Sequence, residues 1–260
     1  MSLPWDEGVA APGARWGGGL TGGPQNPVVR GMCRGQVCAR TIAMSWSGHG
    51  RAGRRGYHHG NLREALISAA LDLIAEKGPA GFTFAEAARQ AGVSAAAPYR
   101  HFRDRDALLA DVARRGFDAF ERRLAAAWGD GRPTPVAALD RLGTAYLAFA
   151  REQPAYFAAM FEAGLPIAEH RELREAGDRA FAILRTACEA LAATLPPAGR
   201  PLALMMALHV WALAHGIASL FARGDAARRT LPMRPEELLE AATLVYLQGL
   251  GITRGGGAAA

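Results

Sequence analysis

The sequence predicts an all-α fold in which a three-helix helix-turn-helix head is joined by a long helix to a larger helical body. Three observations lead there. Apolar residues recur every three or four positions along most of the chain beyond residue 60, the spacing of amphipathic helices. The stretch 83–102, TFAEAARQAGVSAAAPYRHF, divides into two short helical segments around a sharp break. A late stretch, 201–223, is apolar on two sides and therefore asks for burial on two sides.

Composition narrows the class. The chain has 260 residues, enough for one or two domains, and half are hydrophobic, as in a globular protein. The net charge is +6, and most of it lies early: residues 1–56 carry seven arginines against Asp6 and Glu7. Only Cys33, Cys38 and Cys188 occur, too few and too scattered for a disulfide framework or a paired-cysteine zinc site. That cysteine usage, with no apolar core of a signal peptide at the N-terminus, predicts a cytoplasmic protein.

Taken in order, residues 1–56 mix Gly, Pro and isolated Trp without a helical or strand period and read as a disordered, partly basic tail. Met44 is a candidate true start of translation, which would make residues 1–43 a start-site artefact. Arg51, Arg54 and Arg55 form a basic arm ahead of the first helix, suited to DNA phosphate or a minor groove. The first helix spans 61–77, capped by Asn61, with Leu62, Leu66, Ala69 and Leu73 on one face and Gly78 and Pro79 at its end.

Thr83 caps the next helix, and Gly92 supplies the left-handed backbone that ends it. Val93 plugs the angle, and Ser94 is placed to cap a second helix bearing Tyr99, Arg100 and His101. Ala95, Ala96 and Ala97 keep that helix slim for approach to base edges, while Pro98 shortens or delays its regular part. The plainer alternative is a helical hairpin buried in a core. A long helix then starts near Asp104, with Leu108, Val112, Phe117, Phe120 and Leu124 on its apolar side. Arg103 and Arg105 stand at its beginning, where a guanidinium can take DNA phosphate with two hydrogen bonds.

Residues 57–120, from YHHGNLREALISAALDLIAEKG through FTFAEAARQAGVSAAAPYRHFRDRDALL, resemble the N-terminal domain of the TetR/AcrR family of transcriptional regulators. The Gly-Val-Ser turn, the Tyr-x-His-Phe ending and the basic-x-x-Leu-Leu that follows carry the resemblance. It implies phosphate or groove roles for Thr83, Ser94, Tyr99, His101 and Arg105, and places Ala95, Ala96 and Arg100 against bases. Arg105 stands where the family more often has Lys. The alanine run departs from the family pattern and shifts specificity toward Arg100, the basic arm and DNA shape.

The rest, 121–253, reads as helix throughout, ahead of a disordered tail at 254–260. Pro133 and Pro135 bracket a linker, and helices follow at 136–152, from Pro154, and at about 168–195. The stretch from Pro201 to Ala222 lacks Asp, Glu, Lys and Arg. A membrane span is one reading of it, opposed by His209, His215, high Ala content and the lack of a second span. The preferred reading sets Leu204, Leu208, Trp211, His215 and Ala218 toward the subunit's own core. Met206, Val210, Leu213, Ile217 and Leu220 then face a second subunit, joined by Leu238, Ala242, Val245 and Gly249 of a last helix opened by Pro235, Glu236 and Glu237. The resemblance likewise implies dimerisation through the last two helices. Trp211, His215 and Gly216 resemble the signature of a family subgroup with a Trp-His-Gly type C-terminal domain.

Tyr146, Phe149, Phe157, Phe161, Phe181, Trp211 and His215 are candidates to line a ligand pocket, although such a set at helical spacing also suits plain core. His209 and His215 are six apart, off the spacing that puts two metal ligands on one helix face, and no nucleophile elbow, P-loop or other catalytic motif appears. No catalytic residue, metal site or cofactor is expected. The expected function is a dimeric repressor that binds a palindromic operator in double-stranded DNA and is released by a small-molecule effector, without a membrane. The rival expectation is a ligand-binding helical dimer without specific DNA recognition.

Overall fold

A computed structural model describes residues 62–222 and 232–252, all within one compact unit, Arg54–Ala260. The tail at 1–56, its start-site question and the arm residues Arg54 and Arg55 lie outside the described residues, as do 254–260. Eight α-helices and no strand occur among the described residues: α1 Leu62–Lys77, α2 Phe84–Gln90, α3 Arg105–Trp128, α4 Pro135–Glu152, α5 Pro154–Phe161, α6 Arg171–Ala192, α7 Ala203–Ala222 and α8 Pro235–Gly249.

The local chemistry sets these limits. Asp104 begins α3 by accepting the Ala107 N–H on Oδ1 at 2.8 Å, and Gly129 ends it in the left-handed region at φ 51°. Thr134 caps α4 by accepting the Ala137 N–H at 3.2 Å, and proline opens α4, α5 and α8 at a position that needs no N–H.

Two apolar cores result, and α3 serves both. Leu66, Leu73, Phe82, Phe102, Leu108, Leu109 and Val112 fill the head core, which also takes Ala159 of α5 and Leu173 of α6. Phe120 and Leu124, further along α3, join Leu142, Phe149, Phe157, Leu191 and Met206 in the body core. Gly116 lies between them at a close crossing, where a Cβ would stand 2.8 Å from Met160 Sδ.

Helix α7 is long and apolar enough to cross a membrane by length and composition, yet it packs against α4, α6 and α8. Its inward row is Met206, Val210, Ala214, Ile217 and Ala218. This corrects the expected dimer row: Met206, Val210 and Ile217 are buried within their own protomer and cannot reach a second one. Leu213 is half-buried, as are Leu238 and Ala242 on α8, whereas Leu220, Val245 and Gly249 are exposed. The outward row of α7 is Met205, His209, Ala212, Gly216 and Leu220. Leu204, expected in the core, is also outside.

Candidate DNA-reading surface and aromatic core

The helix-turn-helix is built from local bonds. Thr83 and Glu86 form a capping box at the start of α2. The Glu86 N–H donates to Thr83 Oγ1 at 3.2 Å, and the Thr83 N–H and hydroxyl donate to Glu86 Oε2 at 2.8 and 3.0 Å. Lys77 Nζ donates to the other carboxylate oxygen at 2.8 Å. Lys77 first, then the Thr83 backbone and hydroxyl, hold the Glu86 carboxyl down at about 2. With both its donors committed to Glu86, Thr83 is a capping residue with no donor left for phosphate, which corrects the role the resemblance implied.

Gly92 ends α2 at φ 74°, as expected. The second segment is not a regular α-helix but a single 3-10 turn, Ala97–Arg100, with Pro98 in its first turn. Its cap position is Ala96, without a side-chain hydrogen bond, so Ser94 does not cap it. The proline, which has no N–H to give an α-helical ladder, accounts for both departures.

Around this short turn most of the residues expected to meet DNA are exposed. Pro98 and Phe102 are buried beneath it, while Ser94, Ala95, Ala96, Tyr99, Arg100, His101 and Arg103 are all exposed. Tyr99 stands edge-on to Phe84, ring centres 5.1 Å apart, and keeps 63% of its surface in solvent. Among the described residues, Arg103 is held by its neighbour Asp104, at 2.7 Å. The result is a slim alanine edge flanked by two arginines, a histidine and a tyrosine, suited to a groove lined by phosphates.

Arg105 departs from expectation. Its Nε donates to the Phe82 carbonyl at 2.9 Å, its Nη2 donates to the Pro79 carbonyl, and its guanidinium lies 4.8 Å from the centre of the Phe82 ring. Its remaining nitrogen meets Asp106 at 3.1 Å. The side chain expected on phosphate instead fastens the loop before α2 to the start of α3.

In the body, four helices bring the expected aromatic residues around His215. Its ring centre is 4.9 Å from that of Phe161, 5.6 Å from Phe157, 5.9 Å from Trp211 and 6.5 Å from Tyr146. Phe181 joins through Trp211, and Phe149 through Phe120. The Tyr146 hydroxyl lies 2.9 Å from His215 Nδ1, and the indole of Trp211 hydrogen-bonds the same hydroxyl. An indole N–H can only donate, so the Tyr146 hydroxyl accepts from Trp211 and donates its own hydrogen bond to Nδ1, which fits the neutral His215 tautomer with its hydrogen on Nε2. Burial pushes the Tyr146 phenol upward, which keeps it neutral. Cys188, in the same core, is pushed up to about 12 by burial and is no nucleophile.

Two members of this cluster were not among the sequence candidates. Phe117 stands 5.5 Å from Phe161, and Phe120 stands 5.1 Å from Tyr146. Both belong to α3, so the helix that starts beside the reading turn contributes its middle to the rings. Their three-residue spacing on the apolar side of α3 was the available signal.

A helix-turn-helix head on a helical body is the layout of DNA-binding regulators, and the comparisons make the class specific. The profile of bacterial regulatory proteins of the tetR family matches residues 66–112, and that of the tetracyclin repressor-like C-terminal domain matches residues 139–246. A protein of unknown function from Rhodococcus sp. RHA1 is 31% identical, with 75% of this chain and 98% of that chain covered and a TM-score of 0.63. The TetR family transcriptional regulator PfmR from Thermus thermophilus is 22% identical over 70% of this chain and 97% of its own, with a TM-score of 0.55. A tetR-family regulatory protein from Rhodococcus RHA1 is 18% identical over 74% of this chain and 98% of its own, with a TM-score of 0.58. No curated protein matches. The chain belongs to the TetR family of bacterial transcriptional regulators and is a DNA-binding protein of that class.

Proposed function

We propose that this regulator is a cytoplasmic repressor that binds a palindromic operator as a homodimer and leaves it when a small molecule enters the C-terminal body. The observation that carries the reading is the double membership of α3. Capped by Asp104, it starts at Arg105 beside the reading turn and, past its midpoint, sets Phe117 and Phe120 against the rings around His215. A ligand that re-sorts those rings moves the element on which the head is mounted.

The pairing surface in this reading is the outward row of α7, Met205, Ala212, Gly216 and Leu220, together with Val245 and Gly249 of α8. A Cβ built on Gly216 or Gly249 meets nothing within 4 Å in the protomer, which suits close helix approach by a second copy. Two such helices per protomer form a four-helix interface. It would hold two reading turns ~34 Å apart, one turn of DNA. A ligand preferring a different separation needs a coupling of ~1–3 kcal/mol to change operator affinity 5–150-fold.

Footprinting on the DNA upstream of the protein's own gene, at several salt concentrations, tests this. Two protected half-sites related by a dyad, lost on addition of an effector, are expected. Diffuse protection that vanishes with salt would favour a ligand-binding dimer without specific DNA recognition, for which the alanine edge of the reading turn is the motive.

A further inference from the structure

A cleft of about 400 Å³ opens where the head meets the body, within the size range of small-molecule sites, roughly 300–1,000 Å³. Its basic lining comes from four directions: Arg63 of α1, His101 and Arg103 after the reading turn, Arg114 of α3, and His170 and Arg171 at the start of α6. The lining carboxylates are Asp111 and Glu172. Four guanidiniums and two imidazoles thus face two acids, over a floor of buried Phe102, Ala110 and Leu173.

The basic groups divide into a fixed set and a loosely held one. Arg63 and Arg114 lie 3.3 and 2.8 Å from Asp111, which is buried and also meets Arg115 Nε at 3.3 Å. Arg115 is matched in turn by Glu64, and Arg114 by Asp118 at 2.7 Å, with Glu172 3.7 Å away. Charges deep in the cleft are therefore in balance. At the mouth, Arg103 and Arg171 pair with Asp104 and Glu175, with 81% and 82% of each arginine side chain in solvent. Exposed pairs of this kind are weak because water competes for both partners, so an incoming anion competes for these guanidiniums on favourable terms. Helix α6 also begins here without a side-chain cap, its first N–H groups and dipole adding to the positive end.

We propose that this cleft binds a phosphate group, gripped from the head by His101 and Arg103 and from the body by His170 and Arg171. A guanidinium presents paired donors to phosphate oxygens, and the apolar floor leaves room for a small organic residue. The phosphate comes either from the operator backbone or from a small phosphorylated metabolite. In either case it bridges head and body and fixes the angle between them. The operator source rests on the DNA-binding reading above; the metabolite source does not.

The test uses the full chain and the double variant His170→Gln, Arg171→Gln, both positions lying outside the reading turn and its supports. Thermal unfolding is followed as inorganic phosphate replaces chloride at constant ionic strength and pH, and operator binding is followed as a function of salt. A saturable rise in Tm for the wild type, absent in the double variant and with no change in the operator's salt slope, assigns the cleft to a small phosphorylated molecule. A salt slope lower by about 0.9 in the variant, one phosphate contact, assigns it to the operator backbone, whether or not free phosphate raises Tm. If Tm follows ionic strength alone and the slope is unchanged, the proposal is overturned. The same is true if phosphate stabilises the variant as much as the wild type while the slope stays constant. The footprint recorded in the same titration tests the helix-turn-helix separately, so either reading can fail alone.

Discussion

Replacing Arg105 by Ala separates a structural arginine from a phosphate contact. At the first position of α3 a cation sits at the unfavourable end of the helix dipole, costing ~0.3–1 kcal/mol. The carbonyls of Pro79 and Phe82, which accept from its fork, offset that cost. The alanine variant leaves both carbonyls without the guanidinium. A hydrogen bond from a charged donor has a net value of ~1.5–3 kcal/mol, and the contact with the Phe82 ring ~0.5–1 kcal/mol. Because the side chain is 28% exposed, water recovers part of this, and a loss of about 2–4 kcal/mol is expected. Arg105→Lys keeps the charge but lacks the fork and loses about half as much. Urea denaturation gives the stabilities, and operator binding between low and moderate salt gives the slope. The expected result is a lower midpoint with an unchanged salt slope. A slope lower by about 0.9 with stability intact would place the guanidinium on phosphate and refute the reasoning.

Arg103→Ala has the opposite signature, a salt slope lower by about 0.9 with stability close to the parent's, because its pair with Asp104 is exposed. Glu86, with its carboxyl lowered to about 2, stabilises the folded head fully above its unfolded value near 4.5 and loses that contribution as pH falls toward about 2. Glu86→Ala should therefore flatten the acid limb of the stability profile in that window; an identical limb in both proteins would show that the capping box has no such linkage. Tyr146→Phe removes the hydroxyl between Trp211 and His215 and should cost ~1–3 kcal/mol, with a change in tryptophan emission that a purely packing residue would not produce. Val245→Glu, at a position 69% exposed, should give a folded monomer in sedimentation with operator affinity sharply reduced; a stable dimer would move the interface elsewhere.

Local chemistry was the legible part. The Thr83 cap and the Gly92 turn are each local and were visible in the sequence, although the return bond from Glu86, three positions on, was not read there. Pro98 likewise announced a shortened second segment, though not that it would be a single 3-10 turn. Arg105 was not legible, because its partners Phe82 and Pro79 lie 23 and 26 residues earlier and are backbone carbonyls, which leave no trace in side-chain pattern. Helix α7 resisted for a different reason. With apolar residues on every side, its period does not say which row is inside, and small Ala214 belongs to the buried row that the larger Leu220 does not. The aromatic candidates stand at helical spacing that suits pocket and core alike, and only the packing of several helices shows that Tyr146, Phe157, Phe161 and Trp211 meet at His215.

The Trp-His-Gly signature divides across α7. Trp211 and His215 look inward to Tyr146, while Gly216, the next residue after the histidine, looks out into open space. An α-helix is stiff about its own axis, so these two faces turn as one body. If, as proposed, a guest enters among the rings, a roll of ~10° to admit it would carry the opposite surface, at a radius of ~5 Å, through ~1 Å in the other direction. On the proposed function, three residues on one rod would act as a gear, with a guest taken up on one side displacing the other without any chain of intermediate contacts.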